Sequence, residues 1–450
     1  MVVPTRRTTG DIDKSTQRVE FTLVEILCYA PPHGGKPSFF VPGKSQVPPT
    51  YPEVRLRRGA ERLLIKGHPW VFSGAVTRRG DGCEPGCIVD VMNDAGRFIA
   101  RGTFNPHSEI AVRIFTRKQD EIVDSGFLQR RMEQALRLRN ENPLLAEVTS
   151  ARRLIHGESD GLPGLIVDDY DGWLVMQIHT LGMEKLRPVI LEALQSVIGS
   201  KGIYERSDVG TRRADGLQDR PTGLVAGAEP PDVVEFHEGG VQMTADLRHG
   251  QKTGFFLDQR DNRMLLGRIS QGAEVLNCFS YTGGFSVHAR HGGAARTLDV
   301  DVVPAVLRRG RAHAQASSDG DRSHFAAADG FNFLDSLAER SKGPRFDVVV
   351  VDPPSLVRKG RDVKNALGVY TKLNRNALRL VRDGGYLMTA SCSTRVSEDD
   401  FFQVVRRAAP GARVSVRLLH ANGHPADHPI DPAFPEGRYL KSLLLRVFRD

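Results

Sequence analysis

From about residue 241 onward, short apolar runs alternate with longer amphipathic stretches. Segments 274–279, 295–299, 324–328, 346–352, 385–391, 413–418 and 442–448 have the length and apolar content of strands. The first five are separated by stretches long enough for crossover helices, such as 304–314 and 365–381. That alternation predicts an α/β domain with a doubly wound, mostly parallel sheet. The run Asp347-Val-Val-Val-Val-Asp352 is apolar without interruption, as a central strand covered on both faces must be. A long loop without helical period joins the last two strands, which fits a terminal antiparallel hairpin.

Ahead of this region the period changes. Short β-type runs at 86–92, 98–103 and 110–115 are separated by turn signals such as Asn93-Asp94-Ala95-Gly96, predicting a small β-barrel-like domain to about residue 120. Segment 126–140 has helical spacing, with Leu128, Met132, Leu136 and Leu138 on or near one face and arginines opposite. Strands at 154–155 and 164–168 bracket a turn-rich stretch. A strand at 173–179, a helix at 183–197 and a strand at 202–206 complete a small α+β unit. The first residues lack periodicity and are rich in Pro and Gly from Pro31 to Pro52. The expected layout is an extension of loose order at 1–52, a β-barrel domain at 53–125, a linker helix with a strand-helix-strand domain at 126–238, and the sheet domain at 239–450.

Composition narrows the function classes. With 40% hydrophobic and 26% charged residues the chain is globular, and 450 residues are enough for two or three cores. A formal charge of +8 suits a polyanionic partner such as nucleic acid, although a basic protein without one fits equally well. The five cysteines (Cys28, Cys83, Cys87, Cys278 and Cys392) are scattered and odd in number, which argues against a disulfide framework and for a reducing cytoplasm. Cys83 and Cys87 lack a second pair at zinc spacing, so no metal is expected. No apolar run approaches a bilayer span, and the first twenty residues mix both charges, so neither a membrane anchor nor a targeting signal is expected.

The candidate chemistry gathers at the carboxyl ends of the sheet strands, where open α/β sheets bind ligands. Val275-Leu-Asn-Cys-Phe-Ser-Tyr-Thr-Gly283-Gly284 is a strand running into a glycine-containing loop and a helix. It is not a dinucleotide fingerprint, and alone it could be a simple helix-opening turn. Thr297-Leu-Asp299-Val-Asp301 ends the next strand with acids, of which Asp301 has the better register to accept ribose hydroxyls. Asp329 closes the following strand, where an adenine amino group would sit. Each acid could equally cap a helix. Asp352-Pro353-Pro354-Ser355 follows the central strand, two prolines stiffening the loop that holds the acid. Ser391-Cys392-Ser393 ends the next strand. A buried cysteine is usually only a small apolar side chain. Beside an acid at this edge it can also attack carbon 6 of cytosine, making carbon 5 nucleophilic enough to take a methyl group.

At these residues the chain resembles the bacterial 23S ribosomal RNA cytosine-carbon-5 methyltransferases with an amino-terminal PUA domain (RlmI-like). His68-Pro-Trp-Val-Phe-Ser-Gly-Ala75 is similar to the start of their PUA domain. The stretches 154–164 and Tyr204-Glu-Arg-Ser-Asp208 are similar to their central domain, and 249–263 to the lead into the catalytic domain. The motifs at 276–285, Asp352-Pro-Pro354, Ser391-Cys-Ser393, Asp427-His-Pro429 and Pro435-Glu-Gly437 follow in order, so the likeness spans about 54–450. It implies a Rossmann-like class I methyltransferase domain behind a PUA barrel and a small α+β domain. It also implies S-adenosyl-L-methionine as cofactor and ribosomal RNA, free or in a large-subunit particle, as partner.

The resemblance further implies site residues. Phe279, Tyr281, Gly283, Gly284, Asp301, Asp329, Asp352 and Gln259 fall on cofactor positions, Cys392 on the nucleophile with Asp352 as its catalytic partner, and Lys252, Arg260, Pro353 and Pro354 toward the substrate. The pair Asp427 and His428 could lie near the target base or be structural. Ser355 stands where many cytosine-carbon-5 enzymes carry a second cysteine that assists release, so release here needs another base or water. A guanine-N7 methyltransferase is the nearest rival, though relatives of that kind lack the Ser-Cys-Ser element. An RNA-binding protein on a degenerate methyltransferase scaffold is the other. Oligomeric state stays open, a homodimer included.

Overall fold

The computed structural model describes residues 49–145, 148–357 and 363–449. The extension expected at 1–52 therefore falls, save its last four residues, outside the described residues.

The first sheet contains β1 (Glu53–Leu56), β2 (Trp70–Phe72), β3 (Val76–Arg79), β4 (Ile88–Met92), β5 (Phe98–Phe104) and β6 (Ile110–Thr116), in the order β2-β6-β5-β4-β1-β3. Alternate residues turn inward: Val54 and Leu56 from β1, and Val89 and Val91 from β4, meet Ala100, Val112 and Ile114 in one core. Helix α1 (Glu61–Ile65) adds Leu64. The sequence pattern finds β4 to β6 but not β1 to β3, since runs of three or four residues show too little alternation to register as strands.

Helix α2 (Ser125–Asn140) is capped by the Asp124 side chain, which accepts from the Phe127 N–H. Its inward face holds Phe127, Leu128, Met132 and Ala135, but Leu138 is 48% exposed. Arg139 takes the inward position instead, because steps of about 100° bring 132, 135 and 139 to one side. Its guanidinium meets Asp160 at 2.7 and 2.8 Å and donates to the carbonyls of Arg153 and Asp427.

The second sheet runs β11-β10-β9-β8-β7, from β7 (Ala151–His156), β8 (Leu165–Tyr170), β9 (Trp173–Ile178), β10 (Gly202–Glu205) and β11 (Gly223–Gly227). The single helix expected at 183–197 is two, α3 (Leu181–Lys185) and α4 (Arg187–Val197). Pro188 has no N–H to give to a preceding turn and fits only a first turn, so the helix restarts there. Helix α5 (Gly210–Ala214) precedes β11. The hairpin of β12 (Val234–Glu238) and β13 (Val241–Ala245) turns on Gly239 and Gly240, both at positive φ.

The third sheet has the order β16-β15-β14-β17-β18-β20-β19, from β14 (Glu274–Cys278), β15 (Arg296–Asp301), β16 (Ser323–Ala327), β17 (Phe346–Val351), β18 (Val381–Ser391), β19 (Ser415–Asn422) and β20 (Lys441–Phe448). β14 to β18 are parallel, and β20 runs antiparallel between β18 and β19. Helices α6 (Arg260–Arg268), α7 (Gly284–His291), α8 (Pro304–Ala316), α9 (Gly330–Arg340), α10 (Val363–Leu380) and α11 (Glu398–Ala412) pack around it. The sequence pattern marks no element at α11, whose last turn contains Pro410-Gly411; its start is fixed by a Ser397–Asp400 capping box. Val348 and Val350 of β17 face one core and Val349 and Val351 the other, as the uninterrupted valine run requires. The order reverses at β14 and β17, which opens a crevice at their carboxyl ends. Among the described residues no helix is long and apolar enough to cross a membrane.

Candidate active site

The loop from β14 into α7 is strained. Phe279 and Tyr281 sit at φ 62° and 52° although neither is glycine, at a cost on the order of 1–2 kcal/mol each. The turn is held by Tyr281 N–H donating to Asp301 Oδ2 at 2.8 Å and Ser280 N–H donating to the Val300 carbonyl at 3.0 Å. Gly283 follows at φ 82°, and a Cβ there would lie 3.1 Å from the Asp299 carboxylate. At Gly284 a Cβ would meet the Phe255 ring at 2.9 Å. The two glycines let the loop sit down on a buried acid and an aromatic side chain.

This loop walls a cavity of about 570 Å³ at the switch point. Phe279, Tyr281, Gly284, Asp301, Asp329, Asp352, Pro353, Pro354, Gln259, Lys252 and Cys392 all line it. Asp329 caps α9 through one oxygen, accepting from Asn332 N–H at 2.9 Å, and still borders the cavity. Asp301 likewise accepts from Val303 N–H with Oδ1. Asp329 is thus a helix cap and a cavity wall at once, while Asp301 walls the cavity and ties down the two loop N–H groups of Tyr281 and Val303. Asp299 is fully buried behind Gly283, held by Asn277 and Ser286 at 2.7 and 2.6 Å.

At the other end of the cavity, Asp352 and Cys392 project from the neighbouring strand ends of β17 and β18. Burial and the charge of Asp258 push the Asp352 carboxyl up to about 7, against Lys252 and a 2.8 Å hydrogen bond from Gln259 Nε2. Burial, then the Asp352 charge, push the Cys392 thiol up to about 11. Burial would also raise Asp258, but the Lys252 ammonium and the Tyr439 hydroxyl, which donates at 2.8 Å, hold it well below the usual carboxylate range. Cys392 is gripped on both sides. Ser391 Oγ donates to the Tyr370 hydroxyl at 2.9 Å, and Ser393 Oγ lies 3.3 Å from that hydroxyl and 3.0 Å from Ser355 Oγ.

Comparison with known proteins bears on what this cavity holds. A family model described as S-adenosylmethionine-dependent methyltransferase matches residues 152–446, and one for a PUA-like domain matches 54–117. The ribosomal RNA large subunit methyltransferase I of Erwinia tasmaniensis is 39% identical over 393 residues, covering 87% of this chain and 98% of that protein. The protein of the same name from Escherichia coli O139:H28 is 38% identical over 395 residues, at 87% and 98% coverage. The chain belongs to this methyltransferase family. A putative methyltransferase crystallised with SAH shares the fold at TM-score 0.75 and 22% identity, over 88% of this chain and 99% of that one.

The methyltransferase's cavity fits S-adenosylmethionine on its own residues. Ser280 Oγ is buried at the cavity wall without a hydrogen-bond partner among the described residues, a polar atom that a bound ligand would satisfy. Asp301 and Asp329 offer carboxylate oxygens, and Phe279 and Phe331, with ring centroids 4.9 Å apart, offer aromatic faces.

Two expectations change in this methyltransferase. Arg260 does not face a substrate: it is 0% exposed, with Asp427 at 2.8 and 2.9 Å and the Ala151 carbonyl at 2.9 Å. Its Nε finds no hydrogen-bond partner among the described residues but is buried like the rest of the guanidinium, out of reach of a substrate. Gly283 shapes the loop without lining the cavity. Asp427 and His428, for which a place near the target base and a structural role both stood open, are buried together with His428 Nδ1 3.1 Å from Asp427 Oδ1. The sequence pattern gave no sign of Phe331, Tyr370 or Tyr439, and Ser280 stood in the glycine-loop motif without being singled out. Lys441 alone left a trace, a charge at the head of an apolar strand.

Proposed function

We propose that this methyltransferase forms 5-methylcytosine in large-subunit ribosomal RNA through a covalent adduct on Cys392. One observation carries the reading: a cysteine and an acid stand on adjacent strand ends and line a single cavity with the candidate cofactor residues. The names of the relatives, over nearly their whole length, support large-subunit ribosomal RNA as the substrate. The PUA-like domain and the positive net charge support a grip on RNA through shape and phosphates. The place of work would be the cytoplasm, reducing enough to keep Cys392 a thiol.

The chemistry follows from what carbon 5 lacks. It is too weak a nucleophile until the Cys392 thiolate adds to carbon 6 and sends the ring electrons toward carbon 5. Asp352, with its affinity for protons raised, supplies a hydrogen bond or a proton toward N3 as charge develops there. S-adenosylmethionine supplies, when bound, a methyl group on a positively charged sulfur. Loss of the carbon 5 proton to water or another base, with departure of the thiolate, restores the ring. Pro353 and Pro354 stiffen the acid's loop, Lys252 faces the cavity as a cation, and the base must leave its stack to reach the sulfur.

RNA containing 5-fluorocytosine tests this, because fluorine at carbon 5 cannot be lost as a proton and the adduct persists. A protein–RNA band resistant to denaturing gels is expected, absent in Cys392→Ala. No such band, or Cys392→Ala retaining full turnover, sinks the reading and leaves direct transfer to a ring nitrogen such as guanine N7.

A further inference from the structure

Asp258 is 4% exposed and lines the cavity that Asp352 and Cys392 share. One of its carboxylate oxygens, Oδ2, is occupied: the Lys252 ammonium donates to it, and so does the Tyr439 hydroxyl at 2.8 Å. The other, Oδ1, is buried and accepts nothing among the described residues. A buried carboxylate oxygen without a donor is costly, and in a cavity wall it marks where a ligand's N–H or O–H belongs.

The contacts of its neighbours assign this carboxylate to the reacting end of the cavity, away from Asp301 and Asp329. Gln259, the next residue, donates to Asp352 Oδ2 at 2.8 Å. Tyr439 is joined to the cysteine's turn, because Lys441 Nζ donates to the Tyr439 carbonyl at 2.9 Å and to the Ser393 carbonyl at 2.6 Å. Leu440, between Tyr439 and Lys441, lines the cavity. Asp258 is thus tied on one side to the acid that would meet cytosine N3 and on the other to the turn that carries the thiol.

The two acids are set to different tasks. Against the pull of burial, Lys252 and Tyr439 hold Asp258 as a carboxylate, which only accepts; burial lets Asp352 carry a proton, which it can donate. The edge of cytosine asks for that combination, since N3 accepts and the N4 amino group beside it donates. Uracil presents the reverse, an N3 donor beside an O4 acceptor.

We propose that Asp258 selects cytosine over uracil, its Oδ1 accepting from the N4 amino group while Asp352 meets N3. The inference rests on cytosine being the target and Cys392 the attacking group, and it adds the group that reads the base. The cofactor's amino group is the competing donor.

Large-subunit ribosomal RNA transcribed with 5-fluorocytidine in place of cytidine, or with 5-fluorouridine in place of uridine, tests this on the full-length protein with S-adenosylmethionine present. Fluorine at carbon 5 preserves the adduct of either base, so the two covalent bands report which ring is accepted. Wild type should give the 5-fluorocytosine band and at least about a hundredfold less of the other. Asp258→Asn keeps an oxygen for Lys252 and Tyr439 and sets an N–H donor in the place of Oδ1, where it repels N4 and meets O4. The ratio of the bands should fall about tenfold or more, with S-adenosylmethionine binding unchanged by calorimetric titration. Should that variant not fold, Lys252→Met combined with Asp258→Asn removes both charges of the pair and predicts the same fall. A merely structural Asp258 would weaken both bands together and leave the ratio in place, which overturns the proposal. An unchanged ratio with weakened S-adenosylmethionine binding overturns it too and assigns Oδ1 to the cofactor. No 5-fluorocytosine band from wild type removes the cytosine reading and this inference with it.

Discussion

Asp352 is held where its charge is least comfortable, and that discomfort is measurable. Its carboxyl, ordinarily at 3.8, titrates near 7 chiefly because of burial. Between those values the folded protein binds a proton that the unfolded chain does not, so this group's contribution to stability falls as pH rises from 3.8 to 7. Above 7 the full penalty stands, on the order of 2–4 kcal/mol. Asp352→Asn, a permanent stand-in for the neutral acid, should therefore melt above wild type at pH 8, with the gap closing toward pH 4, and should lose methyl transfer. A lower melting temperature at pH 8 would show that the carboxylate is stabilised by its neighbours instead. The identities of Asp352 and Cys392 could be picked out in the sequence because Pro353-Pro354 and the flanking serines frame them. Tyr370 and Lys441 could not, since only the pairing of β18 with β20 and the packing of α10 bring them to the cysteine.

Among the elements, α6 and α7 meet where side chains have been removed. A Cβ on Gly292 would fall 1.9 Å from the Gly267 carbonyl oxygen, and one on Gly267 would fall 2.9 Å from that of His288. The backbones approach so closely that neither position can yield by rotating a side chain. Gly292→Ala should cost about 1–3 kcal/mol and weaken S-adenosylmethionine binding, because α7 begins at Gly284 on the cavity wall. Thermal melts and calorimetric titration would check both, and an unchanged melt would mean that the helices can part freely. The same scale explains where local pattern misleads. Arg139, rather than Leu138, turns inward on α2 because Asp160 and two carbonyls, distant in the chain, satisfy the guanidinium.

Across the whole molecule, buried ion pairs tie the β12–β13 hairpin and the second sheet to the helices packed on the third. Glu238 at the end of β12 accepts from Arg263 of α6 and lies 3.0 Å from His288 Nε2 of α7, while Arg260 joins Asp427 to β7. Burial would raise the Glu238 carboxyl, but Arg263 and His288 outweigh it and hold it at about 2, against an ordinary 4.5. Its contribution is complete above pH 4.5 and is lost as pH falls toward 2. Glu238→Gln should cost about 3 kcal/mol at pH 7 and flatten the acid limb of the stability profile, measured by urea unfolding at pH 7 and pH 3. Equal loss at both pH values would assign the effect to packing. The barrel is fastened in the same polar manner: Trp70 Nε1 and Arg113 both donate to Glu158, and the Trp70 and Phe434 rings stack edge to face at 4.7 Å.

The sequence alone determined the alternation of strands and helices, the central valine strand, the acids at strand ends and the framed cysteine. Each of these is written in residues close together, where periodicity and turn chemistry act. Only the tertiary structure decided that Arg260 is a strut and that Lys441 reaches the cysteine's turn. Those outcomes depend on which distant groups satisfy a buried charge, and burial is a property of the folded whole.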